Sequence, residues 1–467
     1  MIPICINNES SSISNTVDNL LIELICHDKS TQNRERIKVC GSNNTNLIDF
    51  WILCAILEVE SLKPSAGGGK MKIERREYME RLCGWRDKQI IKVITGVRRC
   101  GKSFLLEMYQ EWLQTQGVRA ERIVSINLED LDNKPLRKPD ALHSYIKERL
   151  KPGKMTYVFV DEVQLCEDFP EVIDSIYIRP NVDIYITGSN ANLLSHEIAT
   201  MLSGRYVEIK MLPLSFREFV TMRGGNDYSR LYAEYVGGSS FPYAGALLDS
   251  PRELGDYLEG IYSTILLKDI VQRRKIPDPL MLDSVDKFVF DSIGSELSTR
   301  SIADTLTSDG RKSDSRTIER YLDALLESFL IYRVDRYDVK GKQLLKTLEK
   351  YYVVDPGLRR HLLSGRSQDV GHVLENVVFL ELLRRGYKVY IGKVGSLEVD
   401  FVVESSNGTE YYQVAATVRD SKTLSRELAP LQKIHDHYPK FLLTLDEDPS
   451  DDFNGIRKLN VLGWLLQ

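Results

Sequence analysis

The chain has 467 residues, enough for about three domains of ordinary size. Lys and Arg number 62 against 67 Asp and Glu, a net charge of -5, with 42% hydrophobic and 28% charged residues. That balance excludes a disordered chain, a collagen-like chain and a uniformly basic nucleic-acid coat.

Residues 1–70 differ in texture from the rest of the chain. They are rich in Asn, Ser and Cys and end in Lys63-Pro64-Ser65-Ala66-Gly67-Gly68-Gly69-Lys70, a linker composition. The charged amphipathic run from Met71 onward marks Met71 as the expected natural start, and a genuine N-terminal interaction segment is the competing reading. The longest apolar run, 47–59, carries Asp49 and Glu58 and is too short to span a bilayer, so no membrane contact is expected. No basic stretch follows Met1, so no signal peptide is legible and the cytoplasm is the default. Seven cysteines without a CxxC or paired spacing argue for reduced thiols, and against a disulfide framework or a zinc site.

From 89 to 214, apolar runs at 90–94, 123–126, 157–160 and 184–186 alternate with helical stretches, the pattern of βαβ units and a parallel sheet. The first run leads into Gly96-Val97-Arg98-Arg99-Cys100-Gly101-Lys102-Ser103, which fits G-x-x-x-x-G-K-[ST] between a strand and a helix. Such a loop turns backbone N–H groups inward around a β-phosphate, and the helix N-terminus adds its positive end. Gly96, Arg99, Cys100, Gly101, Lys102, Ser103 and Phe104 are therefore the expected nucleotide-binding set. Lys102 would reach the β- and γ-phosphates of ATP, and Ser103 would give its hydroxyl to Mg²⁺.

The run at 157–160 ends in Asp161-Glu162, at the strand end where ligands sit in open α/β sheets. Asp161 is the expected metal residue and Glu162 the group that orients or deprotonates the attacking water, which favours hydrolysis. The next run ends in Thr187-Gly188-Ser189-Asn190, where Asn190 either contacts the γ-phosphate or caps a helix. Arg205 is a candidate for neutralising transition-state charge, in cis or across a self-association interface. A surface ion pair is its bland alternative.

These segments resemble one group in their order: Ile-Thr-Gly-Val-Arg-Arg-Cys-Gly-Lys-Ser (94–103), Val-Phe-Val-Asp-Glu-Val-Gln (158–164), Thr-Gly-Ser-Asn (187–190), Ser-Gly-Arg (203–205) and Leu-Pro-Leu-Ser-Phe-Arg-Glu-Phe (212–219). The group is the prokaryotic AAA-type ATP-binding proteins with a C-terminal restriction-endonuclease-like domain of unknown function. The resemblance covers Met71 to Gln467. It implies nucleotide binding by Lys102 and Ser103, Mg²⁺ and catalysis by Asp161 and Glu162, and sensing by Asn190.

Beyond an ATPase core at 71–220, a helical lid or connector is expected at 221–280. Residues 281–355 look like a winged helix-turn-helix, with helices at 284–293, 301–306 and 315–328 and a strand–turn–strand wing around Lys340-Gly341-Lys342. Between Arg300 and Lys350 stand 11 basic and 9 acidic residues, a weak positive footprint for a DNA reader. A protein-packing module is the alternative to a DNA contact.

Residues 356–467 return to mixed α/β. Glu375 on a helix, Asp400 on a strand and Gln413 on the next resemble the restriction-endonuclease-like pattern of Glu, Asp and [Glu/Gln]-x-Lys. There the carboxylates hold Mg²⁺ and the lysine polarises water or phosphate. Here Ala415 stands where the lysine belongs, which predicts a degenerate domain unless Lys388 or Lys393 substitutes. The expected molecule is an α/β Mg-ATPase with a helical lid, a winged helix and an inactive nuclease-like end. An ATP-gated DNA-processing nuclease and a non-hydrolysing nucleotide switch are the other readings.

Overall fold

A computed structural model describes residues 73–191, 202, 204–365, 369–405 and 408–467. It also gives the backbone of one hairpin that forms a separate unit, β1 (Leu20–His27) paired antiparallel with β2 (Arg34–Gly41). The linker at 63–70 and Met71 lie outside the described residues.

The unit from Ile73 to Gln467 opens with helix α1 (Arg76–Gly84) and enters a five-stranded sheet. Its strands are β3 (Ile91–Thr95), β4 (Ile123–Asn127), β5 (Thr156–Asp161), β6 (Val182–Gly188) and β7 (Tyr206–Lys210). They lie in the order β4-β5-β6-β3-β7 and every pairing is parallel. Every residue of β3, β5 and β6 is buried, as both faces of a helix-covered parallel sheet require. Helices α2 (Lys102–Thr115), α3 (Pro139–Arg149) and α4 (Phe169–Tyr177) make the crossovers. Tyr109 on α2 packs against Tyr185 (centroids 5.1 Å apart) and Phe159 (6.3 Å), which fixes the helix that follows the Gly-rich loop against β5 and β6.

After β7 the chain is helical: α5 (Phe216–Arg223), α6 (Tyr228–Gly237) and α7 (Pro251–Thr264). The last runs straight into a π-helix, Ile265–Gln272. Then come α8 (Pro279–Asp291), the short strand β8 (Glu296–Leu297), α9 (Thr299–Ser308) and α10 (Ser315–Glu327). Capping sets their starts: Asp278, Ser298 and Asp314 each accept a backbone N–H of the first turn. The first of these helices begins at Pro279 rather than 284, because Asp278 caps it and Pro279 takes a position that needs no donor.

Strands β9 (Ile331–Asp338) and β10 (Gln343–Val353) form a hairpin, and β10 also pairs with β8. Helices α11 (Pro356–Leu362) and α12 (Val370–Arg384) lead to β11 (Lys388–Val394), β12 (Leu397–Ser405) and β13 (Gly408–Ala415). Helix α13 (Ser421–Gln432), β14 (Lys440–Thr444), β15 (Asp451–Asp452), β16 (Ile456–Asn460) and α14 (Val461–Leu465) complete the chain. The described strands after β7 make one mixed sheet, β15-β16-β14-β13-β12-β11-β9-β10-β8. Its continuity through the parallel β9–β11 pair means that the hairpin at 331–353 and the C-terminal strands share one sheet across residue 355. The α/β class expected from the sequence is the class observed.

One buried group in this region gives a pH prediction. Asp286 on α8 is fully buried, and neither carboxylate oxygen has a hydrogen-bond partner. Burial pushes its carboxyl up to about 7; the nearby Tyr262 hydroxyl opposes the rise and the Asp283 charge adds to it. The unfolded chain releases that proton near 3.8 and the folded one holds it to about 7. The group therefore costs nothing below pH 4, and stability falls as pH rises through this window, by up to about 4 kcal/mol. Asp286→Asn should flatten that dependence and raise the melting temperature at pH 8 but not at pH 4. An unchanged melting-temperature profile from pH 4 to 8 refutes the assignment.

Candidate functional site

The sheet order brings the motifs together. β6 lies between β5 and β3, so the loop after β3, Asp161-Glu162 after β5 and Ser189-Asn190 after β6 share one edge of the sheet. The loop is held from below. Met211 N donates to Thr95 O at 2.7 Å, and a Cβ on Gly96 would stand 2.1 Å from Met211 O, so no side chain fits there. Gly101 (φ +105) sits in the left-handed region, directly before the first turn of α2. Arg75, almost fully buried, donates to Cys100 O (3.1 Å) and Leu212 O (2.6 Å) and fixes the loop from its underside.

Lys102 is buried and donates to Gly96 O (3.0 Å) and Val97 O (3.3 Å), with Glu162 Oε1 3.8 Å away. Asp161 accepts from Thr187 Oγ and from Ser103. Burial pushes the Asp161 carboxyl up, and these two hydroxyls hold it partly down. Glu162 has left-handed backbone torsions (φ 51°), an unusual conformation for a side chain of its size. Its carboxylate accepts from Gln164 and from Ser189 Oγ (3.1 Å). Asn190 is buried beside them. Cys100 is buried and its thiol is pushed up by desolvation, so it packs and does not react. Arg99 is exposed and Phe104 half-buried at the loop's outer face.

The Ser103 and Asp161 oxygens are the hard donors that Mg²⁺ takes. Among the described residues no group of three His, Cys, Asp or Glu forms a metal cage.

Arg205 needs correction. It precedes β7, whose first residue pairs with Ile91 at the start of β3, so it lies at the opposite edge of the sheet from the loop. Its guanidinium pairs with Asp174 and lies over Tyr177, the surface ion pair of the bland reading. A role in cis is excluded by one strand length.

Sequence reasoning missed the contribution of the π-helix at Ile265–Gln272. Arg98, inside the loop, makes a two-pronged contact with Asp269 on the π-helix (3.0 and 3.1 Å) and a third bond to Glu129 (2.9 Å). The π-helix, an irregularity frequent at functional sites, brings Lys268, Asp269 and Arg273 to a cleft of about 290 Å³ shared with Arg98, Glu129 and Glu162. A period of 3.6 residues carries no trace of a π-turn; the only local sign was the second arginine within the loop.

The C-terminal candidates also meet. Val414 N donates to Asp400 Oδ2 (2.8 Å), Asp400 N to Gln413 Oε1 (3.4 Å), and Gln413 Nε2 to Glu427 (3.0 Å). Glu375 Oε1 accepts from Tyr352 Oη (2.5 Å) and from Lys350 Nζ (3.2 Å). Lys350 also reaches Glu398 Oε1 at 2.6 Å. Burial works against the Lys350 ammonium, but the charges of Glu375, Asp400 and Glu398 outweigh it and hold its proton more tightly than usual. Burial, then the Glu375 charge, pushes the Asp400 carboxyl well up. A cation that the sequence reading did not name, Lys350, thus stands beside Glu375 and Glu398. Lys388 is exposed, and Lys393 pairs in register with Glu398 on the neighbouring strand.

Similarities to known proteins cover most of the chain. Residues 88–220 match the model of an AAA domain, and residues 229–369 match a domain of unknown function (DUF8612). An uncharacterized protein of Haemophilus influenzae is 40% identical over 403 residues, covering 85% of this chain and 100% of that one. An uncharacterized protein of Methanocaldococcus jannaschii is 30% identical over 364 residues, covering 73% of this chain and 78% of that one. Among solved structures, a Walker-type ATPase of Pyrococcus abyssi matches 65% of this chain and 99% of its own, with 15% identity and a TM-score of 0.46.

Proposed function

The chain belongs to the same family as these Haemophilus and Methanocaldococcus proteins and carries an AAA domain at 88–220, and we propose that this P-loop domain binds Mg-ATP and hydrolyses it. The observation that carries the reading is the meeting of three strand ends. Lys102, the Ser103–Asp161–Thr187 hydrogen bonds and the Glu162–Ser189 contact stand at one sheet edge.

In this reading Lys102 exchanges its loop carbonyls for the β- and γ-phosphates. Ser103 and Asp161 would hold Mg²⁺, which would supply neutralising charge beside the phosphates. Glu162 orients the attacking water and accepts its proton, and Asn190 lies where it would contact the γ-phosphate. Arg98, clamped to Asp269, ties the loop to the lid, so the grip on nucleotide is coupled to lid position. Arg205 has no part in this set.

Calorimetric titration of nucleotide-free protein with Mg-ATP should give saturable heat, and phosphate release should continue past one equivalent. No saturable heat removes the binding claim. Saturable heat with release stopping at one equivalent removes turnover and leaves the switch.

We assign residues 281–355 to a winged helix, on the succession of α8, β8, α9, α10 and the β9–β10 hairpin. Arg316 and Arg320 on α10 are exposed, as a DNA contact would need. The outer edge of β9 is covered by β11, so any such contact uses α10 and the turn at 339–342.

A further inference from the structure

The segment after α6 is pinned beside the nucleotide loop more firmly than a connector needs. Ser240 O accepts from Leu214 N at 2.8 Å. The fully buried Asp355 accepts from the Ser240 N–H and hydroxyl, each at 2.6 Å, and from Ser239 Oγ at 3.0 Å. Phe241 follows, fully buried in the same core cluster as Val97 and Cys100 of the loop. Pro242 then opens a 3₁₀ turn (Pro242–Ala246), and its Cγ stands 3.7 Å from where a Cβ on Gly101 would lie. The turn is thereby fixed against the end of the loop that leads into Lys102.

On this fixed turn the large ring of Tyr243 is 62% exposed, so it is presented to solvent and not packed away. Its centroid lies 5.3 Å from that of Tyr257 on α7, with the rings tilted by 59°. Tyr257 is half-buried against the core and braces the exposed ring from one side. Burial pushes the Tyr257 hydroxyl up to about 12, and the charge of Arg99 pulls against that rise. The pair therefore stands within electrostatic reach of the loop's exposed arginine. Phe241 to Ala246 carry no amide, carboxylate or cationic side chain. What the turn offers a ligand is a ring face and one hydroxyl.

We propose that Tyr243, braced by Tyr257, stacks on the base of the nucleotide whose phosphates the loop holds, and that this pair sets base specificity: purines over pyrimidines, with adenine and guanine accepted alike. The inference rests on the nucleotide reading of the loop. A base hangs one phosphate and one ribose beyond the β-phosphate, so its platform has to stand next to the loop, as this turn does. Stacking reads the face of a base and is indifferent to the donors and acceptors on its edge. The two fused rings of a purine cover more of the tyrosine than the single ring of a pyrimidine, which favours them by buried apolar area.

The test is calorimetric titration of the full chain with Mg-ATP, Mg-GTP and Mg-CTP, for wild type, Tyr243→Ala and Tyr243→Phe, with melting temperature as the check on folding. Wild type should bind ATP and GTP within about 10-fold of each other and CTP about 5-fold or more weaker. Tyr243→Ala should weaken ATP and GTP by about 5- to 100-fold, the range for loss of one base–aromatic stack, and CTP by less, so that the purine preference collapses. Tyr243→Phe keeps the ring and should bind as wild type. Five results overturn the proposal while leaving the nucleotide reading intact: wild-type ATP affinity in Tyr243→Ala; an equal loss of all three ligands there, the mark of a merely structural role; the alanine-sized loss in Tyr243→Phe; wild type binding CTP as tightly as ATP; or wild type favouring ATP or GTP over the other by more than about 100-fold, the mark of readout at the base edge. No binding of any triphosphate by wild type removes the nucleotide reading, and this inference with it.

Discussion

Lys102→Ala should weaken Mg-ATP binding by at least about 100-fold, whereas Glu162→Gln should bind as wild type and lose turnover by about 10²- to 10⁴-fold. The separation follows from what each group touches. Lys102 Nζ makes two hydrogen bonds to loop carbonyls, at 3.0 and 3.3 Å, which bound phosphates would take over. Charge-assisted bonds of that kind contribute about 1.5–3 kcal/mol each. Removing two costs about 3–6 kcal/mol, enough to take a micromolar site beyond measurement. Glu162 acts instead on the proton of the attacking water. Glutamine keeps the size and can still meet Ser189 and Gln164, so geometry and ground-state binding survive while the base is lost. Titration calorimetry gives the first quantity and single-turnover phosphate release the second. Equal loss of binding in both variants contradicts the roles assigned here.

The first site was legible because its determinants are local. A loop of eight residues between a strand and a helix, and two carboxylates at a strand tip, require only correct spacing and the general topology of parallel sheets. What escaped was non-local. Lys350 is 65 positions before Ala415, and it enters the cluster through strand adjacency and two register slips that no single-strand pattern encodes. The cis role of Arg205 fails for the converse reason. A glycine-arginine pair after a sensor-like strand looks catalytic in one dimension, but strand direction puts it at the wrong end of the sheet. The Asp269 clamp on Arg98 depends on a π-turn, which breaks the periodicity by which helices are read. Glu375, Asp400 and Gln413 were each visible in order, yet the charge that completes their cluster was not.

Leu212-Pro213-Leu214-Ser215-Phe216-Arg217-Glu218-Phe219 acquires a physical reason in the structure, and with it comes the second large effect. Ser215 and Glu218 form a capping box that starts α5. The Pro213 carbonyl accepts from Arg384 at 2.9 Å, and the Glu218 carboxylate pairs with Arg75 at 2.9 Å and lies 3.9 Å from Arg384. Arg384 also donates to Tyr78 Oη (3.0 Å), and its own helix supplies Glu381 at 3.4 Å. Arg75 in turn holds the carbonyl of Cys100 in the nucleotide loop. Two arginines and two glutamates therefore link the loop to the C-terminal end of α12, whose other half carries Glu375 about 14 Å away along the helix axis. Arg384→Met leaves Glu381 with the part-buried Arg385 (3.0 Å) as its cation, removes two hydrogen bonds and takes the fully buried charge from Glu218. Breaking one member of a buried ion network costs about 3–5 kcal/mol. For a chain of this size that is on the order of a 5 °C fall in melting temperature. Because the network spans the nucleotide core and the C-terminal sheet, the loss should also separate their melting into two transitions. Arg384→Lys should recover part of the loss, since it restores the charge but not the two-pronged contact to Tyr78 and Pro213. A single transition within 1 °C of wild type in Arg384→Met, on the order of measurement error against the expected shift, would show that the two parts hold together without this network.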